Sequence, residues 1–232
     1  MTGAATGTLL ILAAAVVALS VLHRRAQRAD AEDRARLFDR VAPLLEEARL
    51  ARDGGYPVLT GRLGGHAVTL RAIVDAVTLR KLPVLWVEIV VHRALAIEGT
   101  VNVLLRPLGT EFFSPDAGFA HELPAPPDVP RPVRVACASA DRAPSAEVVG
   151  EVLAPATALL ADPATKELGV GRRGLRVVLR VAEGDQASYR STRRAVFDHP
   201  RVDPDAVARA VAVLEEIGDR VPTPAPRRGV LS

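Results

Sequence analysis

Residues Gly3 to Leu22 carry no charged side chain. A helix of about 20 residues rises about 30 Å, the thickness of a bilayer's hydrocarbon core. Nine residues of the stretch are Leu, Ile or Val, against Gly3, Thr6, Gly7, Thr8 and Ser20, so the balance of side chains favours insertion modestly. Read this way, residues 1–23 are a transmembrane anchor. His23, Arg24, Arg25 and Arg28 follow at once, and no basic side chain precedes. The bias of positive charge toward the inner side then places the chain as a single-pass inner-membrane protein, N-terminus out, with the remainder cytoplasmic. A cleaved signal peptide is the rival reading, given Ala18-Leu19-Ser20. The missing basic n-region and the arginines just downstream weigh against it.

Beyond the anchor the chain can bury the core of one ordinary domain, of roughly 175 residues. Leu37, Val41, Leu44, Leu45 and Ala48 recur at helical spacing, so residues 24–53 are expected to form a juxtamembrane amphipathic helix, kinked at Pro43 and closed by Gly54-Gly55. Residues 54–221 carry the domain. Val58 to Leu63 and His66 to Ala72 flank Gly64-Gly65, which suits a two-residue hairpin. Val84 to His92, Thr100 to Arg106, Val133 to Ala138 and Leu175 to Ala182 read as further strands. Leu108 to Arg131 holds five prolines from Pro115 to Pro130 and predicts a long irregular connection. Ser145 opens a helix to Leu160 with Pro155 as a break, and Asp203-Pro204 opens another with Val207, Ala210, Val211, Leu214 and Ile217 on one face. Residues 222–232, rich in Pro and Arg, are expected to be a disordered tail. The expected fold class is therefore α+β: one transmembrane helix, then a domain with a mostly antiparallel sheet and flanking helices. Only Lys81 and Lys166 among 30 basic residues are lysine, a bias that suggests a GC-rich bacterial source.

No arrangement of residues announces a reaction. Gly169-Val170-Gly171-Arg172-Arg173-Gly174 has the spacing of a dinucleotide loop, yet a strand and not a helix follows it, which favours a glycine-rich hairpin turn. The five histidines fall at no metal-ligand spacing, and the single Cys137 lies in an apolar run, so no metal or cofactor is expected. Asp75, inside Ala72 to Leu79 with Arg80 and Lys81 as the nearest cations, and Glu111, beside Phe112 and Phe113, are the carboxylates around which an enzyme could be built. The sequence leans away from that.

Charge distribution says more. The chain is +3 overall, but Lys166 to Arg201 holds nine bases against four acids. Arg172, Arg173, Arg176, Arg190, Arg193 and Arg194 are the candidate lipid- or partner-binding residues, each worth on the order of 1 kcal/mol beside an anionic headgroup surface. With 3% aromatic residues, stacking platforms for nucleic acid are scarce. The leading expectation is a non-enzymatic interaction or scaffold domain with a protein partner or self-association. Headgroup binding is the first alternative, and an enzyme around Asp75 or Glu111 the second.

Overall fold

The computed structural model describes residues 2–52, 55–76, 82–109, 111–192 and 194–221, with side chains from residue 13 onward except 117, 191 and 192. Helix α1, Thr2–Ala35, comes first. From Ala13 to Glu32 its side chains are exposed, with Val16, Val17 and Leu19 accessible at 59%, 62% and 66%.

The expected transmembrane anchor is corrected here. Among the described residues no helix is long and apolar enough to cross a membrane. From Ala13 the helix offers ten uncharged residues before His23 and the arginines, about 15 Å of rise, or half a bilayer core. The part of that expectation resting on residues 3–12 lies outside the described side chains. The single-pass inner-membrane placement and its N-out orientation rested on that span and are withdrawn with it. The amphipathic helix expected over 24–53 also changes: helix ends at Ala35, a tight turn follows, and Glu46–Ala51 is a strand. Leu37, Phe38 and Val41 in that turn are fully buried, so the apolar spacing marked core contacts without marking a continuing helix. The disordered tail expected over 222–232 lies outside the described residues.

Nine strands form one sheet: β1 (Glu46–Ala51), β2 (Val58–Leu63), β3 (His66–Asp75), β4 (Val84–His92), β5 (Val101–Leu105), β6 (His121–Glu122), β7 (Val133–Cys137), β8 (Thr165–Gly171) and β9 (Gly174–Glu183). Their order is β1-β2-β3-β4-β9-β8-β5-β7-β6, and every pairing is antiparallel. Helices α2 (Ala146–Leu153) and α3 (Thr157–Ala161) are separated by a single 3-10 turn at Pro155, where proline removes the backbone donor a continuous helix needs. A short α4 (Gln186–Thr192) and the longer α5 (Pro204–Arg220) follow β9.

The two faces of the sheet differ. Leu85, Val87, Ile89 and Val91 of β4, Leu175, Val177 and Leu179 of β9, Leu168 and Val170 of β8, and Val101, Val103 and Leu105 of β5 point to one side and are buried. α5 closes that side through Val207, Ala210, Val211, Leu214 and Ile217, its first turn capped by the Asp203 carboxylate accepting from the Asp205 N–H at 3.1 Å. Alternation sends the intervening residues to the opposite face. There the side chains include Arg71, Glu88, Arg176, Glu167, Asn102 and Arg134, by the pairings Arg71 with Glu88, Val90 with Arg176, Gly169 with Arg176, Asn102 with Gly169 and Leu104 with Arg134. The segment between β5 and β7 lies across this face, tied to it through Asp116 and Phe119.

Leu214 has no accessible surface and sits in the helix-to-sheet seam. Leu214→Ala should cost about 2–5 kcal/mol, the range for a buried leucine that leaves a cavity. Urea melts of the two proteins measure it; a loss below about 1 kcal/mol would mean that α5 contributes little to the core.

Candidate functional site

Charge on the open face is organised as a row. Arg71 donates to Glu88 from Nε (3.1 Å) and Nη2 (2.8 Å), and Arg176 donates to the other Glu88 oxygen at 3.1 Å while its second Nη holds Glu167. Farther along, Asn102 donates to Asp116 at 3.4 Å, and Arg134 binds Asp116, Glu122 (2.8 Å) and the carbonyls of Asp116 and Phe119 (both 2.9 Å). Glu88, Glu167 and Asp116 are buried, whereas Arg71 and Glu122 at the two ends are open to water. Buried carboxylates persist only when paired, because the cost of leaving one unpaired amounts to several kcal/mol. The row meets that demand with Arg176 between Glu88 and Glu167 and Arg134 between Asp116 and Glu122, while Asn102, an uncharged amide, stands between Glu167 and Asp116.

A strap crosses the row. Ser114 accepts from the Asp116 N–H at 3.0 Å and caps the turn Pro115–Gly118, while Phe113 lies against Trp86 with ring centroids 6.0 Å apart. Lys166 clamps the strap's root. This residue is the extra one in a bulge of β8, and its amine donates to the Leu105 and Arg106 carbonyls (3.0 and 2.8 Å) and to Glu111 (2.7 Å). Burial pushes the Glu111 carboxyl upward, but Lys166 and the Leu108 N–H outweigh it and hold the group below the usual carboxylate range.

Beneath the strap is Glu167, with no accessible surface. Burial pushes its carboxyl up to about 7, against the pull of Arg176 and of the Ser114 and Asn102 side chains, and the Asp116 carboxylate adds to the rise. Glu167 Oε2 and Asn102 Oδ1 complete no hydrogen bond among the described residues. A proton on Glu167 turns an unmatched acceptor into a donor.

Beside the strap the face opens into a groove of about 1130 Å³. Val90, Asn102, Gly169 and Arg176 form the floor, Thr100, Pro115 and Ser139 the sides, and Arg142, Arg172 and Arg173 the mouth, with Glu98 the one acid among the lining residues. A Cβ on Gly169 would meet Arg176 Nε at 3.5 Å and Asn102 Oδ1 at 3.6 Å, ordinary contacts. Glycine there keeps the groove deep without being required by the backbone. A second cavity, of about 550 Å³, lies across the strap and is lined by Leu104, Glu111, Phe112, Asp116 and Arg134.

The expected arginine set is distributed over the fold. Gly171 pairs with Gly174, so Arg172 and Arg173 occupy the two-residue turn between β8 and β9, and the glycine-rich motif is a hairpin. Arg176 lies inside the ion row. Arg190 and Arg194 are exposed and follow the other end of β9, a strand of 10 residues that is about 30 Å long and begins at the turn. Arg193 lies outside the described residues. The carboxylates weighed for catalysis do not meet either. Asp75 pairs with Val84 and the hairpin adjoins Val91, seven residues or about 23 Å farther along β4. Asp75 Oδ1 is buried without a partner among the described residues, and the cations expected beside it, Arg80 and Lys81, lie outside them. Glu111 belongs to the Lys166 clamp. No group of three or more metal-ligating side chains occurs among the described residues.

Sequence reasoning passed over Glu88, Asp116, Arg134 and Glu167. A signal existed for two members of the row: Glu88 and Arg176 interrupt otherwise apolar strand runs, and a charge inside such a run needs an opposite charge on a neighbouring strand.

The Glu167 shift fixes a sign for stability against pH. Its ordinary value is 4.5, so between 4.5 and about 7 the folded protein retains a proton that the unfolded chain releases. Stability from this group is complete below 4.5 and is lost as pH rises through 7, by an amount on the order of 1–3 kcal/mol. Glu167→Gln keeps an acceptor for Arg176 and removes the titration. Urea midpoints from pH 5 to pH 8 should fall for the natural protein and run flatter for the variant; parallel curves would exclude a titrating Glu167.

No family model matches the chain, and no curated protein matches it. Among solved structures the chain is similar to the crystal structure of the mycobacterial trehalose monomycolate transport factor A, at 16% sequence identity and a TM-score of 0.43, over 83% of this chain and 87% of that one. A likeness at this level assigns no function.

Proposed function

We propose that this chain is a non-catalytic binding domain whose open sheet face takes a ligand with an apolar body in the groove beside the strap. The observation that carries the reading is a groove of about 1130 Å³, slightly larger than the roughly 300–1,000 Å³ of most small-molecule sites, on the sheet face opposite α5. Its accessible lining combines Val90, Ala96, Pro115 and Ala138 with a few polar groups, the mixture by which ligand pockets bind and orient at once.

The disposition of the titratable groups supports binding over reaction. A general acid or base must reach the reacting atoms with a free proton site. Along the groove floor Arg176 is committed to Glu88 and Glu167, and His92 shares a hydrogen bond with Thr69 at 2.8 Å. Glu167 is sealed under the strap. The Ser139 hydroxyl in the groove is hydrogen-bonded to the exposed Asp141 carboxylate, and that bond holds the carboxyl below its usual range, which weakens it as a base.

N-phenyl-1-naphthylamine, an uncharged apolar dye, probes the groove in the full chain. Saturable emission is expected, with affinity at least ten-fold lower in Gly169→Leu, whose side chain would rise from the floor. Circular dichroism melts keep a folding defect separate from a filled groove. Absence of saturation, or equal affinity in a folded Gly169→Leu protein, rejects the reading.

A further inference from the structure

We infer that the groove selects a ligand carrying an anionic group, seated at its mouth by the guanidinium groups of Arg172, Arg173 and Arg142. This rests on the groove reading above and adds the chemical class of what it holds.

The three arginines come from two loops, each pinned by close backbone approaches to the segment from Val91 to Gly99. At the β8–β9 turn, the Leu95 N–H donates to the Arg172 carbonyl at 3.1 Å, and a Cβ on Gly174 would stand 2.3 Å from the Val91 carbonyl. The turn is thus pressed against the end of β4. On the other side, Gly99 has φ +84°, and a Cβ there would stand 2.3 Å from the Arg142 carbonyl. Only a glycine lets the Arg142 segment sit so close. The backbones carrying the cations are therefore fixed before any ligand arrives, which lowers the ordering cost of binding.

Pairing distinguishes these cations from those of the floor. Arg176 is neutralised by Glu88 and Glu167, whereas Arg172 and Arg173 have no salt bridge among the described residues, and Arg142 has only a 4.0 Å approach to the adjacent Asp141. Glu98 is the only acid in the lining, against four arginines. Adjacent unpaired guanidinium groups repel one another and gain from an anion that bridges them, most of all one with several oxygens that accept paired N–H bonds. Sulfate, phosphate and sulfonate esters have that form. With apolar residues lining the rest, the matching ligand is an amphiphile whose acidic end rests at the mouth.

Two dyes with one apolar body test this in the full chain at low salt: 8-anilinonaphthalene-1-sulfonate, which is anionic, and N-phenyl-1-naphthylamine, which is not. The sulfonate should bind at least five-fold more tightly. That advantage should disappear in Arg172→Ala/Arg173→Ala and shrink in 1 M salt, while the uncharged dye stays within two-fold throughout. Equal or weaker binding of the sulfonate by the natural protein, or an advantage that survives the double substitution, overturns the anionic class and leaves the groove reading standing. Failure of both dyes to saturate overturns both.

Discussion

Arg176 occupies the position on which the open face depends. Its guanidinium lies between Glu88 on one neighbouring strand and Glu167 on the other, and both acids are shielded from water. Without that shared cation, Glu167 would stand unpaired at a cost of several kcal/mol, and Glu88 would keep Arg71 alone. Antiparallel pairing brings the three together: Glu88 and Glu167 each oppose Val178, two residues along β9 from Arg176. The sheet order around β9 and the ionic order on its face are thus two aspects of one arrangement.

The same logic extends to the strap. An irregular segment laid over a charged face carries backbone polar groups that need partners. Arg134 provides them by donating to the Asp116 and Phe119 carbonyls, and Lys166 does so at the root by donating to the Leu105 and Arg106 carbonyls. Cations that neutralise acids therefore also fasten the segment. This explains how a proline-rich connection becomes an ordered cover, and why the groove begins where the strap ends. Glu167 lies where the row and the strap overlap; its raised affinity for a proton reflects its burial there, with the Asp116 carboxylate adding to it.

Part of the site was legible from the chain alone. The excess of arginine between Lys166 and Arg201 pointed to the segment that supplies Arg172 and Arg173, and the glycines around them read as a turn. The remaining members were hidden for a physical reason. Glu88 sits among apolar neighbours, and nothing local distinguishes an acid paired across strands from one facing water. Glu167 lies in β8, which has glycine at positions 169 and 171 and a bulge at Lys166, so its alternation is too irregular to read as a strand. β1 was obscured differently: its charged residues, Glu46, Glu47 and Arg49, are exposed at the sheet edge, where no buried face imposes a period of two.

Local chemistry determined the elements that close on themselves. Asp203-Pro204 and the stripe from Val207 to Ile217 specify α5, Gly64-Gly65 specifies the β2–β3 turn, and Pro155 divides α2 from α3, since capping, periodicity and a missing amide act within a few residues. Tertiary structure decided the rest: which strand lies beside which, that Arg71, Glu88, Asp116, Arg134, Glu167 and Arg176 share one face, and that Arg172 and Arg142 line one groove while Arg190 follows the far end of β9. Pairing between distant strands depends on the whole set of competing partners, and no window of sequence contains that set.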